Sequence, residues 1–290
     1  VATRSNHESL GHLGAGIGFV AWAVISLPLL LARGDVEGAL LTALPCVLVS
    51  VGLWLFVTAA AVLLQALLGR GSTQYWLVLC GGVATAVAAL LLLAEHWLLP
   101  VLQAHAGIAR VMHATGSVMR VPWLLRLLLL AAGPVLLLRP CVQLLRDTSA
   151  VPVSRAVSGV LLSLGLTNLL LAASRGGGAG LVDAGLPTML LAVAFALLWS
   201  LVFASALRLQ TAPRRLGAGA AVVVFGVMWC VTDHVALPYL LTDAAAQRAA
   251  LAHYLTVATV VQMVVLAIGC RLLAVPVFAA IRDHTVAART

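Results

Sequence analysis

The chain has 290 residues, a mean hydropathy of +1.12 and only 9% charged residues. A soluble domain carries roughly 25% charged residues to stay solvated, so a water-soluble globule is excluded and lipid must be the solvent for most of the surface. The formal charge of +8 rests on arginine alone, because the sequence contains no lysine. Lysine Schiff-base chemistry is excluded with it, and arginines scattered singly at helix ends do not make the basic face that nucleic acid requires.

Residues 1–12 form a short polar tail. No charged n-region precedes the first apolar run and no small-residue cleavage site follows it, so that run is expected to stay as a helix and not to leave as a signal peptide. An α-helix needs about 20 apolar residues to cross the hydrocarbon core. That criterion predicts spans over 13–32, 37–68, 75–100, 106–138, 154–173, 186–209, 217–240 and 249–280. Pro45, Pro122, Pro187 and Pro276 lie inside apolar runs and are the expected kink points. No ten-residue alternation of apolar and polar residues appears, which excludes an outer-membrane barrel. The expected fold class is an all-α integral membrane protein with about eight transmembrane helices.

Two stretches read ambiguously or as loop. Residues 104–121 contain Arg110, His113 and Arg120, and fit either the start of the fourth span or an amphipathic helix lying in the interface. The run Arg175-Gly-Gly-Gly-Ala-Gly180 reads as a flexible outer loop, since a phosphate cradle would need a strand before it. Cys46, Cys80, Cys141, Cys230 and Cys270 show no metal-binding or redox spacing and read as small apolar residues.

An internal repeat organises the chain. Glu95-His96-Trp97-Leu98-Leu99-Pro100 matches Asp233-His234-Val235-Ala236-Leu237-Pro238. In the same order, Arg33, Gly38 and Pro45 match Arg175, Gly180 and Pro187, and Gly133, Pro140, Arg146 and Asp147 match Gly269, Pro276, Arg282 and Asp283. The offset drifts from 142 to 138 to 136 residues, as changing loop lengths would produce. The expected organisation is a tail over 1–12, a first four-helix unit over 13–147, a second over 148–283 and a tail over 284–290. An even number of spans per unit gives both units the same orientation, about an axis along the membrane normal.

Orientation follows from arginine. The two tails and the second, fourth and sixth loops hold eleven arginines, and the opposite face holds six. By the positive-inside rule both termini are expected in the cytoplasm of a multi-pass protein of the plasma (inner) membrane.

The residues that can carry chemistry cluster near the outer ends of the third, fourth, seventh and eighth spans. His96 and His234 each follow a carboxylate, Glu95 and Asp233, and each precedes a proline. His113 and His253 stand near the start of the next span in each unit, with Arg110 and Arg248 just before them. An ionisable group inside a membrane is a functional candidate. Imidazoles facing one another across a bundle suit the axial positions of haem b, or a copper or zinc ion. A carboxylate beside an imidazole suits proton acceptance from a quinol, and Arg110 and Arg248 suit propionates or lipid phosphates. A plainer account also exists: histidine in the last turn complements the helix dipole and the proline ends the helix. Pairing His113 with His253 further needs a local gap of two residues.

The leading expectation is a membrane subunit of a redox system with a haem b or quinone site near the extracytoplasmic face. Glu95 and Asp233 would accept protons, and His96, His113, His234 and His253 would hold the group, with copper as an alternative. A transporter or channel using the acid–histidine pairs for protons or a cation is the second expectation. A structural or assembly subunit is the third. The expected partners are the bilayer and other membrane or peripheral subunits, with no nucleic acid.

Overall fold

The computed structural model describes residues 36–69, 72–98, 120–146, 151–240 and 245–287, and among them all regular structure is helical. The expected first span at 13–32 lies outside the described residues. The long helices are α1 (Val36–Leu68), α2 (Thr73–Leu93), α3 (Arg120–Arg146), α4 (Val151–Gly180), α5 (Leu186–Leu209), α6 (Pro213–Val231) and α7 (Ala245–Ala287). Ser72 caps α2, its hydroxyl accepting from the Tyr75 amide at 3.2 Å.

Six helices among the described residues are long and apolar enough to cross a membrane: Leu44–Leu68, Thr73–His96, Trp123–Arg146, Pro152–Leu209, Pro213–Ala236 and Tyr254–Ala279. The fourth of these is 58 residues long, about 87 Å at 1.5 Å per residue, far beyond one bilayer. It does not run straight. Gly177 takes φ 56° and ψ −142°, a conformation that favours glycine, and the chain then folds back. Ser154 Oγ lies 2.6 Å from Ser200 Oγ, while Gly165 faces Ala192 and Met189, and Gly185 faces Leu169. Those pairings have the falling register of two antiparallel helices, α4 against α5.

The glycine-rich run 175–180 holds the reversal where a connection between spans is expected: two helical stretches meet at Gly177, and nothing lies within 4 Å of a Cβ placed on Gly177 or Gly178. Two local expectations are corrected. Pro187 sits in the first turn of α5, where its missing N–H is harmless, and is no kink. Helix α3 continues past residue 138 to Arg146 with Pro134 and Pro140 inside it.

Close helix contact is made by glycine. A Cβ on Gly81 of α2 would lie 2.9 Å from Leu137 Cγ of α3, and one on Gly219 of α6 would lie 2.9 Å from Leu272 Cβ of α7. Likewise a Cβ on Gly269 of α7 would come within 2.8 Å of Val223 on α6. Small residues let membrane helices approach until dispersion contacts hold them, since lipid supplies no hydrophobic drive between helices. The interior is filled by Phe56 tilted against Phe195 and by buried Trp199, which stacks on Phe203 and donates from Nε1 to the Gly217 carbonyl at 3.0 Å. Leu124, Leu128, Val135 and Leu138 of α3 and Val257, Val261, Val264 and Ile268 of α7 are exposed, the apolar faces expected against lipid.

Candidate functional site

The apolar helices lose their regular pitch at one end of the bundle. Ala94–Leu98 continues α2 as a π-helical turn, Thr232–Ala236 continues α6 in the same way, and Leu181–Gly185 joins α4 to α5. The turn at Thr232–Ala236 touches both of the others, so all three share that end. A π-turn inserts one residue into a helix and re-aims the side chains around it, and such turns recur at functional sites. Here two of them carry the acid–histidine pairs Glu95–His96 and Asp233–His234.

Glu95 meets a charge that the sequence reading assigned only to topology. Arg126, near the start of α3, bonds its carboxylate through Nη1. The Arg126 side chain is 1% exposed and that of Glu95 23%. Arg126, one of the six arginines counted on the outer face, is thus a buried ion-pair partner at that end. Nearby, Trp123 Nε1 approaches Asp183 Oδ1 at 3.3 Å, tying the same end of α3 to the π-turn between α4 and α5.

Asp233 is buried, 4% exposed, and meets neutral donors. Gln262 Nε2 donates to its Oδ2 at 2.7 Å and Tyr254 OH to its Oδ1 at 3.3 Å, both from α7. The other end of the Gln262 amide accepts from Cys230 Sγ at 3.5 Å, which fixes the amide's orientation. One turn position before Asp233, Thr232 Oγ1 accepts from Asn168 Nδ2 of α4 at 3.0 Å. The two carboxylates thus differ in kind. Glu95 would have to part from a guanidinium to take a proton, while Asp233 can exchange one and keep its neighbours.

His96 and His234 are both half-buried. His96 Nδ1 lies 3.1 Å from the Leu92 carbonyl. A carbonyl can only accept, so Nδ1 carries the proton and Nε2 presents a lone pair, the tautomer suited to a ligand or a proton acceptor. Arg110 and His113 lie outside the described residues. Arg248 and His253 lie on the backbone of α7, and their side chains are outside the described ones. Among the described residues no group of three or more His, Cys, Asp or Glu side chains is arranged to hold a metal ion. The cysteines are free thiols, four buried and Cys80 exposed.

Arg126, Gln262, Tyr254, Asn168 and Asp183 escaped the sequence reading as site residues. Two of them carried a signal. The offset of 136 residues that relates Gly133 to Gly269 also relates Arg126 to Gln262, so the polar residue of an otherwise apolar face recurs at one position. Comparison of the chain with family models, curated proteins and solved structures gives no match.

Proposed function

We propose that this chain is a membrane subunit of a redox system, built from two related four-helix units in eight spans, that accepts protons from a quinol at its extracytoplasmic end. The observation that carries the reading is buried Asp233 held by Gln262 and Tyr254 beside His234, with Glu95 and Arg126 at the matching positions. Quinol oxidation releases protons and electrons together. Asp233 and Glu95 would take the two protons, and the two electrons would leave one at a time to a one-electron acceptor; where that acceptor is haem b, His96, His113, His234 and His253 are its candidate ligands.

Several contacts support the two-unit reading. Gly81 against Leu137 corresponds to Gly219 against Leu273, and Gly133 against Thr85 to Gly269 against Val223, under the same offsets as the sequence repeat. Glu95 with Arg126 corresponds in the same way to Asp233 with Gln262. The arginine distribution supports an outward acid–histidine end and cytoplasmic termini.

The test is spectroscopic and kinetic. The purified chain with its co-purifying partners is expected to show a Soret band lost on His96→Ala or His234→Ala, or quinol-dependent reduction of an added acceptor that falls on Asp233→Asn. Absence of both would remove the redox reading. A second reading, proton or cation movement across the bilayer, draws support from the helices that break their pitch at the level of the carboxylates. It predicts flux in proteoliposomes that weakens with Asp233→Asn and Glu95→Gln.

A further inference from the structure

At the end of the bundle away from the π-turns, α1, α7 and the connection from α5 to α6 enclose a cavity of about 260 Å³. Ala59, Ala66, Leu216, Pro276 and Ala279 line it, and Thr211 is a rare polar contribution. Ala66 and Ala279 are exposed, so the cavity opens on the outer surface of the bundle. A void this size has room for roughly eight or nine waters, but water needs two to four polar partners per molecule, and an apolar lining does not supply them. Hydrocarbon suits it better.

The corresponding positions between α5 and α3 carry long polar side chains. Under the offsets of the repeat, Ala66 corresponds to Arg208 and Ala279 to Gln143. Arg208 Nη2 reaches across to the Leu144 carbonyl at 3.0 Å, and Gln143 Oε1 accepts from Gln74 Nε2 at 2.5 Å. Where one interface carries long polar side chains, the other has two alanines beside a void. This contrast rests on the two-unit reading; the cavity itself does not.

The mouth of the cavity has a sign. Thr211 and Ala212 lie on its rim, and Arg214 and Arg215 follow in the first turn of α6, both exposed. The rim also falls at the ends of three candidate spans, Leu44–Leu68, Pro213–Ala236 and Tyr254–Ala279, the level of lipid headgroups. Apolar interior, interfacial depth and two exposed arginines within three residues of the rim together describe one chemical class.

We infer that this cavity binds one acyl chain of an anionic phospholipid, whose phosphate rests on Arg214 and Arg215. The headgroup distinguishes this from general solvation by the bilayer. A neutral lipid offers the same hydrocarbon and gains less from the arginines.

Native mass spectrometry of the full chain in mild detergent tests it, with phosphatidylglycerol and phosphatidylcholine supplied in turn. One phosphatidylglycerol is expected to stay bound under conditions that strip phosphatidylcholine. Ala66→Trp and, separately, Ala279→Trp fill the void and are expected to abolish that retention, while Leu128→Trp on the exposed face of α3 leaves it unchanged. Arg214→Gln with Arg215→Gln is expected to remove the preference between the lipids. Unchanged retention in a filling variant that elutes as a folded monodisperse species would overturn the inference. So would equal retention of both lipids by the unaltered chain, or a detergent or free fatty acid held in place of phosphatidylglycerol.

Discussion

Gln262 Nε2 lies 2.7 Å from Asp233 Oδ2, joining α7 to the π-turn that ends α6. Arg126 makes the corresponding bond to Glu95 between α3 and the π-turn that ends α2. One partner is neutral and the other charged, so removal has different consequences in the two places.

Arg126→Leu leaves Glu95 half-buried without its cation. Breaking a buried ion pair from one side costs about 3–5 kcal/mol, and thermal unfolding in detergent should show a loss of that order. Arg126→Gln, which installs the residue found at position 262, is expected to recover a substantial part of it. Unfolding midpoints equal to the unaltered chain for Arg126→Leu would mean that the pair is solvated.

Asp233→Asn keeps the size and hydrogen-bonding reach of the side chain but cannot take a proton. Under the proposed quinol reading its expected signature is a folded protein whose turnover drops by about a hundredfold or more, the scale of a lost general base. Gln262→Leu should be milder in stability, about 1 kcal/mol, in line with single hydrogen bonds inside membrane proteins. Equal turnover in Asp233→Asn and the unaltered chain would move the chemistry elsewhere.

Gly269→Ala puts a methyl group 2.8 Å from a Val223 side-chain carbon and 3.0 Å from the Val223 backbone nitrogen. The backbone cannot step aside as a side chain can, so α6 and α7 must separate. A loss of about 1–3 kcal/mol is expected, as for overpacked cores generally. Gly159→Ala, where nothing lies within 4 Å of the added carbon, is the matching control and should unfold with the unaltered chain.

The fold-back of residues 152–209 has a topological signature. In a cysteine-free background, Gly178→Cys beside the reversal and Gly69→Cys at the end of α1 should lie on opposite sides of the membrane. An impermeant maleimide applied to intact cells is expected to label one and spare the other. Labelling of both from the same side would contradict the antiparallel arrangement.

Apolar runs made much of the architecture legible. The expected bounds of 186–209 coincide with α5, and 37–68 differs from α1 by a single residue. Hydropathy works here because every backbone polar group in lipid must be satisfied within its own helix. The glycine-rich run from Arg175 to Gly180 marks the connection between two spans, since the chain reverses at Gly177, whose positive φ suits glycine. At the candidate site, Glu95, His96, Asp233 and His234 stood out through repetition. Arg126 and Gln262 recur at the 136-residue offset too, but they differ in type, and an arginine near a helix end looks alike whether it marks topology or pairs with an acid.

The bond between Glu95 and Arg126 also bears on how the chain enters the bilayer. Either charge carried alone into hydrocarbon is penalised. Together they neutralise one another, so α2 and α3 enter an apolar medium at less penalty as a pair than either does alone.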